Sequence, residues 1–494
     1  MKIFVIRAAA LVLIFALLTL AGCGKDNITF LSSNTVGEAS LRSDSADVFS
    51  SDYENTENSS SYFTSSTDKN HLKNEVPFPV QSVDSLLQNT ASDNLILQNG
   101  AASGSSSGTA SSDMSSSVGG TSSSAKKTDI SFKGIWISYY EFPFWGSSEE
   151  QAKEKFSEMM KKVAMQGYNA VFCHVRANAD AFYPSKYFPF AMQLTGKVGG
   201  DPGYDPLKIM IWAAKKYKLQ FHAWINPYRV SNLTTNPNEL AEGHIAAKWL
   251  ADGSNRAVVH NGGIYFNPSS TDVQRLVLYG IREILAKYDV DGIHFDDYFY
   301  PENITPEFDS VQYKEYKQAA EIPLSLADWR RANVSTLVSA AYNLCHQRSV
   351  TFGISPAGNM SLDNSHDNYN LLYADIALWM RSEGYVDYII PQLYFGYNHP
   401  VARSRYEYLL NVWSALPKHK NLKLYIGLGA YRMDEACDDS DEWHYEADLM
   451  ARQVTDARLK GANGIAVFSY TASMSENPHN ALQIENMFDA INSK

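Results

Sequence analysis

The run DGIHFDDYFYP, residues 291–301, closes an apolar stretch with two adjacent carboxylates, Asp296 and Asp297, and follows them with aromatic side chains. Two acids in a shared, partly desolvated site can be pushed to different pKa values. One then gives a proton while the other accepts one or attacks, the division of labour that breaking a glycosidic bond requires. Side chains alternate along a strand, so Ile293 and Phe295 form an apolar set, and His294, Asp296 and Tyr298 a polar one. The polar set is expected to face a barrel interior with Asp296 at the carboxyl end, and Asp297, by the same parity, to face away. The alternation also sets His174 and Arg176 against Cys173 and Val175. It sets His222, Trp224 and Asn226 against Phe221, Ala223 and Ile225, and Gln392 and Tyr394 against Pro391 and Leu393. Four strands thus aim polar and aromatic groups at one axis, which is costly unless they satisfy one another or meet a ligand.

A partner acid is sought among groups just past a strand. Asp180 in RANADAFYPS and Glu141 in YYEF both qualify, and Asp180 is preferred because it shares a loop with Arg176 and Asn178. Glu383 precedes its strand and Asp205 reads as a helix cap. The bland reading of Asp296 is an ion pair with Arg176 that only holds the barrel together. Flat sugar faces would stack on Trp136, Tyr139, Tyr140, Trp224, Tyr228, Tyr300, Tyr394 or Tyr397. Asn226 and Arg229 offer hydrogen bonds to hydroxyls or to a carboxylated substituent. The expected catalytic set is therefore Asp296, Asp297, Asp180 and Glu141. The expected substrate-binding set is Arg176, His222, Trp224, Asn226, Arg229, His294, Tyr298, Gln392 and Tyr394. His174, His222, His294 and Asp296 are a conceivable metal set, but no HxxEH or HxH pairing accompanies them. Histidines hydrogen-bonded within the barrel are the expectation, with no metal and no cofactor.

The elements that must position these groups are legible as eight β-rich runs: 133–140, 169–176, 219–226, 291–298, 350–357, 386–394, 422–430 and 463–470. Between them lie segments with apolar residues at i, i+3, i+4, some with start signals such as Asp205 before Pro206 and Ser325 or Asp328. Eight strands alternating with helices over residues 129–494 match a (β/α)8 TIM barrel, an α/β fold. A doubly wound open sheet is the alternative, weakened by the lack of a Gly-rich phosphate loop after the first strand.

Before the barrel, Lys2 and Arg7 precede an apolar stretch that ends in LAGC at Cys23, a pattern that resembles a bacterial lipobox. The expectation is a lipoprotein signal peptide over 1–22, a lipidated Cys23, and a protein held at the outer face of the cell membrane by lipid. Residues 23–128 are polar, with 12 Ser between Ala101 and Ala125, and read as a disordered tether. The net charge of -12 argues against a nucleic-acid partner. Cys173, Cys345 and Cys437 show no paired spacing, so neither a disulfide framework nor a zinc site is indicated.

In order along the chain, GIWISYY, VRANADAFYPS, FHAWINPYRV, DGIHFDDYFYP, FGISPAGN and DYIIPQLYF resemble glycosyl-hydrolase-like family 10, over Lys133 to Lys494. The resemblance implies a TIM-barrel glycosidase of the cell envelope that acts on a polysaccharide, peptidoglycan glycan strands in particular. It implies that Asp296 and Asp297 lie in the family's most recognisable motif and that Arg176, Asp180, Asn226, Arg229 and Gln392 fall in others. DGIHFD also resembles a chitinase strand motif, but Tyr298 stands where that motif has its catalytic Glu, so the likeness is one of fold. An envelope lipoprotein that binds glycan without cutting it is the alternative from another class.

Overall fold

The computed structural model describes residues 129–434 and 440–493. The expected signal peptide, the lipidated Cys23, the tether and Cys437 lie outside those residues. All eight expected barrel strands form: β1 (Phe132–Ile137), β2 (Ala170–Arg176), β3 (Gln220–Ile225), then β7 (Gly292–Phe295), β8 (Thr351–Ile354), β9 (Tyr388–Ile389), β10 (Lys423–Gly429) and β11 (Gly464–Phe468). They pair in parallel and close in the order β1-β11-β10-β9-β8-β7-β3-β2. Each is followed by a helix that returns the chain to the amino-end face, among them α1 (Glu149–Gln166), α2 (Pro206–Lys216), α3 (Thr271–Lys287), α4 (Leu326–His346) and α5 (Leu449–Leu459). The start signals hold: Asp205 accepts from the Lys208 N–H at 3.2 Å and Ser325 from that of Asp328 at 3.1 Å.

Sequence reading missed β4 (Arg229–Ser231), β5 (Ala257–His260) and β6 (Gly263–Phe266), an antiparallel sheet in the long excursion between β3 and β7. Its signal was present. Asn261 and Gly262, at φ 42° and 76°, join β5 to β6, and an Asn-Gly pair between apolar runs is the strongest short-range hairpin sign.

The barrel interior is aromatic, with Phe132, Trp136, Phe172, Trp224 and Tyr388 packed together. Its polar atoms form a directed chain. The Trp136 indole, which can only donate, gives its hydrogen to His294 Nε2 at 3.2 Å, so the proton of that ring sits on Nδ1. Nδ1 then donates to the Tyr388 hydroxyl (3.2 Å), which donates to His222 Nδ1 (3.0 Å), whose Nε2 reaches Gln220 Oε1 (3.4 Å). Burial disfavours the charged imidazolium, pushing His222 down to about 3 and His294 well below its ordinary value. Both rings are therefore neutral core members. The expectation that they bind substrate is corrected, because each is sealed beneath the mouth with its nitrogens committed.

Glycine gives this layer its room. A Cβ on Gly353 would lie 2.1 Å from the Tyr388 ring. Gly353→Ala is expected to overpack the barrel and lower the free energy of unfolding by roughly 1–3 kcal/mol, measured by urea denaturation.

Candidate active site

Strand β7 ends at Phe295, so regular strand pairing stops just before the two carboxylates. Asp296 is 2% exposed and is gripped from β3. Trp224 Nε1 donates to its Oδ2 at 3.0 Å and Asn226 Nδ2 to the same oxygen at 3.3 Å, while the Tyr298 N–H donates to Oδ1 at 3.3 Å. Burial and the neighbouring Asp297 push its carboxyl up to about 7, against the pull of Arg229 and these donors.

Asp297 does not face away, and the expectation from parity is corrected. The strand has already ended, and Gln392 Nε2, just past β9, donates to Asp297 Oδ1 at 3.1 Å while also holding the Ser355 carbonyl at 2.9 Å. Asp297 is half-buried, and burial raises its pKa too. The two acids thus leave one stretch of backbone and are braced from either side of it. Adjacent like charges in a partly dry site ionise as a pair, and the second proton is held toward neutral pH.

Arg229, on β4, brings the mouth its cation. Its Nε and Nη2 donate to the Ala177 carbonyl (3.1 and 2.8 Å), and its Cζ lies 4.8 Å over the Tyr298 ring. Asn226 is spent on positioning, since Oδ1 accepts from the Arg229 N–H at 2.9 Å while Nδ2 serves Asp296. Tyr298 and Tyr140 are about half exposed, and Gln392 and Tyr394 half-buried, so these four remain able to meet a ligand.

Other expected groups are elsewhere. Arg176 is turned out of the barrel, because a register shift between His174 and Arg176 pairs it with the outward-facing Ile225. Its guanidinium lies 3.6 Å over the Phe188 ring, in space that a side chain on Gly280 of α3 would fill. It neither binds substrate nor pairs with Asp296. Glu141 is a clamp and not a free acid: Oε2 accepts from the Ser138 N–H (2.7 Å), and Oε1 from the Ser469 hydroxyl and the Thr471 N–H (both 2.7 Å), joining the ends of β1 and β11. Trp136, Tyr139, Tyr228 and Tyr300 are buried, so none of the four is a sugar platform, while Tyr397 is half-buried and its hydroxyl donates to Asp456 on α5. Asp180 accepts from the Asn178 N–H at 3.3 Å and is raised to about 6 by burial. No hydrogen bond or ion pair joins it to Asp296 or Asp297 among the described residues. Nor do three His, Cys, Asp or Glu side chains come together there as a metal site.

Reasoning from the strands did not find Tyr265 on β6, which faces the charge of Arg229, or Trp145, 62% exposed, whose ring packs on Gly196 at the mouth-side loops.

The family described as Glycosyl hydrolase-like 10 matches residues 131–445, a shorter span than the motifs suggested. Glycosyl hydrolase YngK of Bacillus subtilis (strain 168) is 36% identical over 376 residues, covering 71% of this chain and 70% of its own. Glycosyl hydrolase DigH of Escherichia coli (strain K12) is 31% identical over 347 residues, covering 63% of this chain and 76% of its own.

The raised pKa of Asp296 has a consequence for stability. Below about pH 4 the folded and unfolded chains both hold this proton. As pH rises toward 7 the unfolded chain releases it first, so the folded state loses stability, and above about 7 the full cost of the buried charge is present. Asp296→Asn is expected to be more stable than the wild type by roughly 1–3 kcal/mol at pH 8, with the gap closing by pH 4, in denaturation series at the two pH values.

Proposed function

The chain belongs to the Glycosyl hydrolase-like 10 family and is a glycoside hydrolase, and from that premise we propose that it cuts glycosidic bonds in peptidoglycan glycan strands from a lipid anchor outside the cell. The observation that carries the chemistry is the pair Asp296 and Asp297, braced by Trp224 and Asn226 on one side and by Gln392 on the other. In this reading the pair holds one proton near neutral pH. Asp296, whose carboxyl is raised to about 7, delivers it to the leaving oxygen, Asp297 stabilises the positive charge that develops on the sugar ring, and water adds to that carbon as its proton returns to Asp296. Arg229 keeps one of the two ionised. Tyr140, Tyr298 and Tyr394 offer ring faces to the glycan. The envelope substrate is supported by the lipobox-like LAGC and the long polar segment behind it, which suit an enzyme tethered at the cell surface.

Glycan strands freed of stem peptides are incubated with the wild type, Asp296→Asn and Asp297→Asn, and new reducing ends are counted. The wild type should release them and each variant should be slower by about 10²- to 10⁴-fold. Equal release by all three would remove the pair from the chemistry. Release from other polysaccharides but not from these strands would remove peptidoglycan.

The anchor is tested separately. Cys23→Ser should move the protein from the membrane fraction to the soluble extracellular or periplasmic fraction and abolish incorporation of labelled fatty acid.

A further inference from the structure

Next to the mouth, the loops that follow β2 and β3 enclose a cavity of about 400 Å³, within the range of about 300–1,000 Å³ typical of small-molecule sites. Asp180 lies on one wall, and Val230, Ser231, Leu233 and Thr234 form part of another. Three features of the lining restrict what it can hold.

The first is charge. Asp180 and Glu239 bring carboxylates, and neither Lys nor Arg lines the cavity. His244, the remaining titratable group, is neutral: Nε2 donates to the Ala179 carbonyl at 2.9 Å and Nδ1 accepts from the Ala246 N–H at 3.0 Å, so the ring carries one proton, and burial opposes a second. Arg176 and Arg229 act on Asp180 through space but line no part of the wall. The second feature is polar but uncharged: Asn178 and Gln193 line the wall as half-buried residues whose side-chain amides can both give and accept hydrogen bonds. The third is apolar surface from Phe190, Met192 and Leu240, suited to the C–H face of a ring.

We propose that this cavity is a substrate subsite, apart from the bond that is cut, which takes an amino-sugar unit without an acidic substituent and rejects one that bears a carboxylate. The proposal rests on the reading of the chain as an enzyme of peptidoglycan glycan, whose two alternating amino sugars differ in this respect. One is unsubstituted at O3, and the other carries a lactyl group there, with a free carboxylate once the stem peptide is gone. Asp180, expected from its loop to be the partner acid, becomes a selectivity residue: with its carboxyl near 6, it is ionised at envelope pH and repels a second carboxylate.

The test measures binding apart from turnover. Asp297→Asn protein is titrated with N-acetylglucosamine and with N-acetylmuramic acid at pH 8 by ligand-observed NMR. The first is expected to bind at least about tenfold more tightly, and adding Asp180→Asn should shrink that gap. Val198→Trp and Leu233→Trp, each at an exposed lining position and so compatible with folding, should fill the cavity and weaken N-acetylglucosamine binding by about tenfold or more. Melting curves check that both variants are folded. Equal or tighter binding of the muramic acid, a gap untouched by Asp180→Asn, or binding indifferent to both tryptophans would overturn the proposal. Wild-type protein with the expected binding pattern that releases no reducing ends from glycan strands would leave the subsite standing and overturn the substrate reading. Cleavage without the pattern would do the reverse.

Discussion

A carboxylate sealed from water is tolerable only where N–H groups meet it, and Asp296 is met by three: the Trp224 indole, the Asn226 amide and the Tyr298 backbone. Two of these come from β3 and its end, 70 and 72 residues away in sequence, and reach Asp296 because closure of the barrel lays β3 directly beside β7. The excursion between those strands then has to leave and return without parting them. It does so as a small separate sheet that brings Arg229 back to the mouth, where its charge opposes the desolvation that raises both acids.

Beneath the pair the barrel is filled by a chain of neutral hydrogen bonds from Trp136 through His294, Tyr388 and His222. Because the indole is a donor only, the direction of the chain is set at its top, and no ring in it needs a charge. The floor under the acids is consequently rigid, uncharged and dry. That contrast with the half-exposed Tyr298, Tyr140 and Tyr394 above is what makes the carboxyl end of the barrel the reactive face, in keeping with the (β/α)8 architecture.

The division among the acids follows from how each is held. Asp296 and Asp297 keep like charges adjacent and braced from different strands, which suits proton transfer. Glu141, by contrast, spends its oxygens on three donors and joins the two ends of the barrel seam. Asp180 stands apart, on the wall of a cavity with no cation. Four carboxyl groups that look alike in sequence are thereby held in three ways: as a braced pair, as a clamp on the barrel seam, and alone on a cavity wall.

The alternation of apolar and polar residues by itself determined the eight strands, their order of appearance and the inward set of β7 and β3, because these depend on a period of two that burial on the barrel wall enforces. The Asn-Gly turn of the inserted hairpin was equally legible and passed over. Three decisions belonged to the tertiary structure. A register shift in β2 turned Arg176 outward, the early end of β7 released Asp297 from parity, and closure of the seam claimed Glu141. Each depends on which strand lies next to which and where pairing stops. Those are long-range contacts, and local spacing carries no record of them.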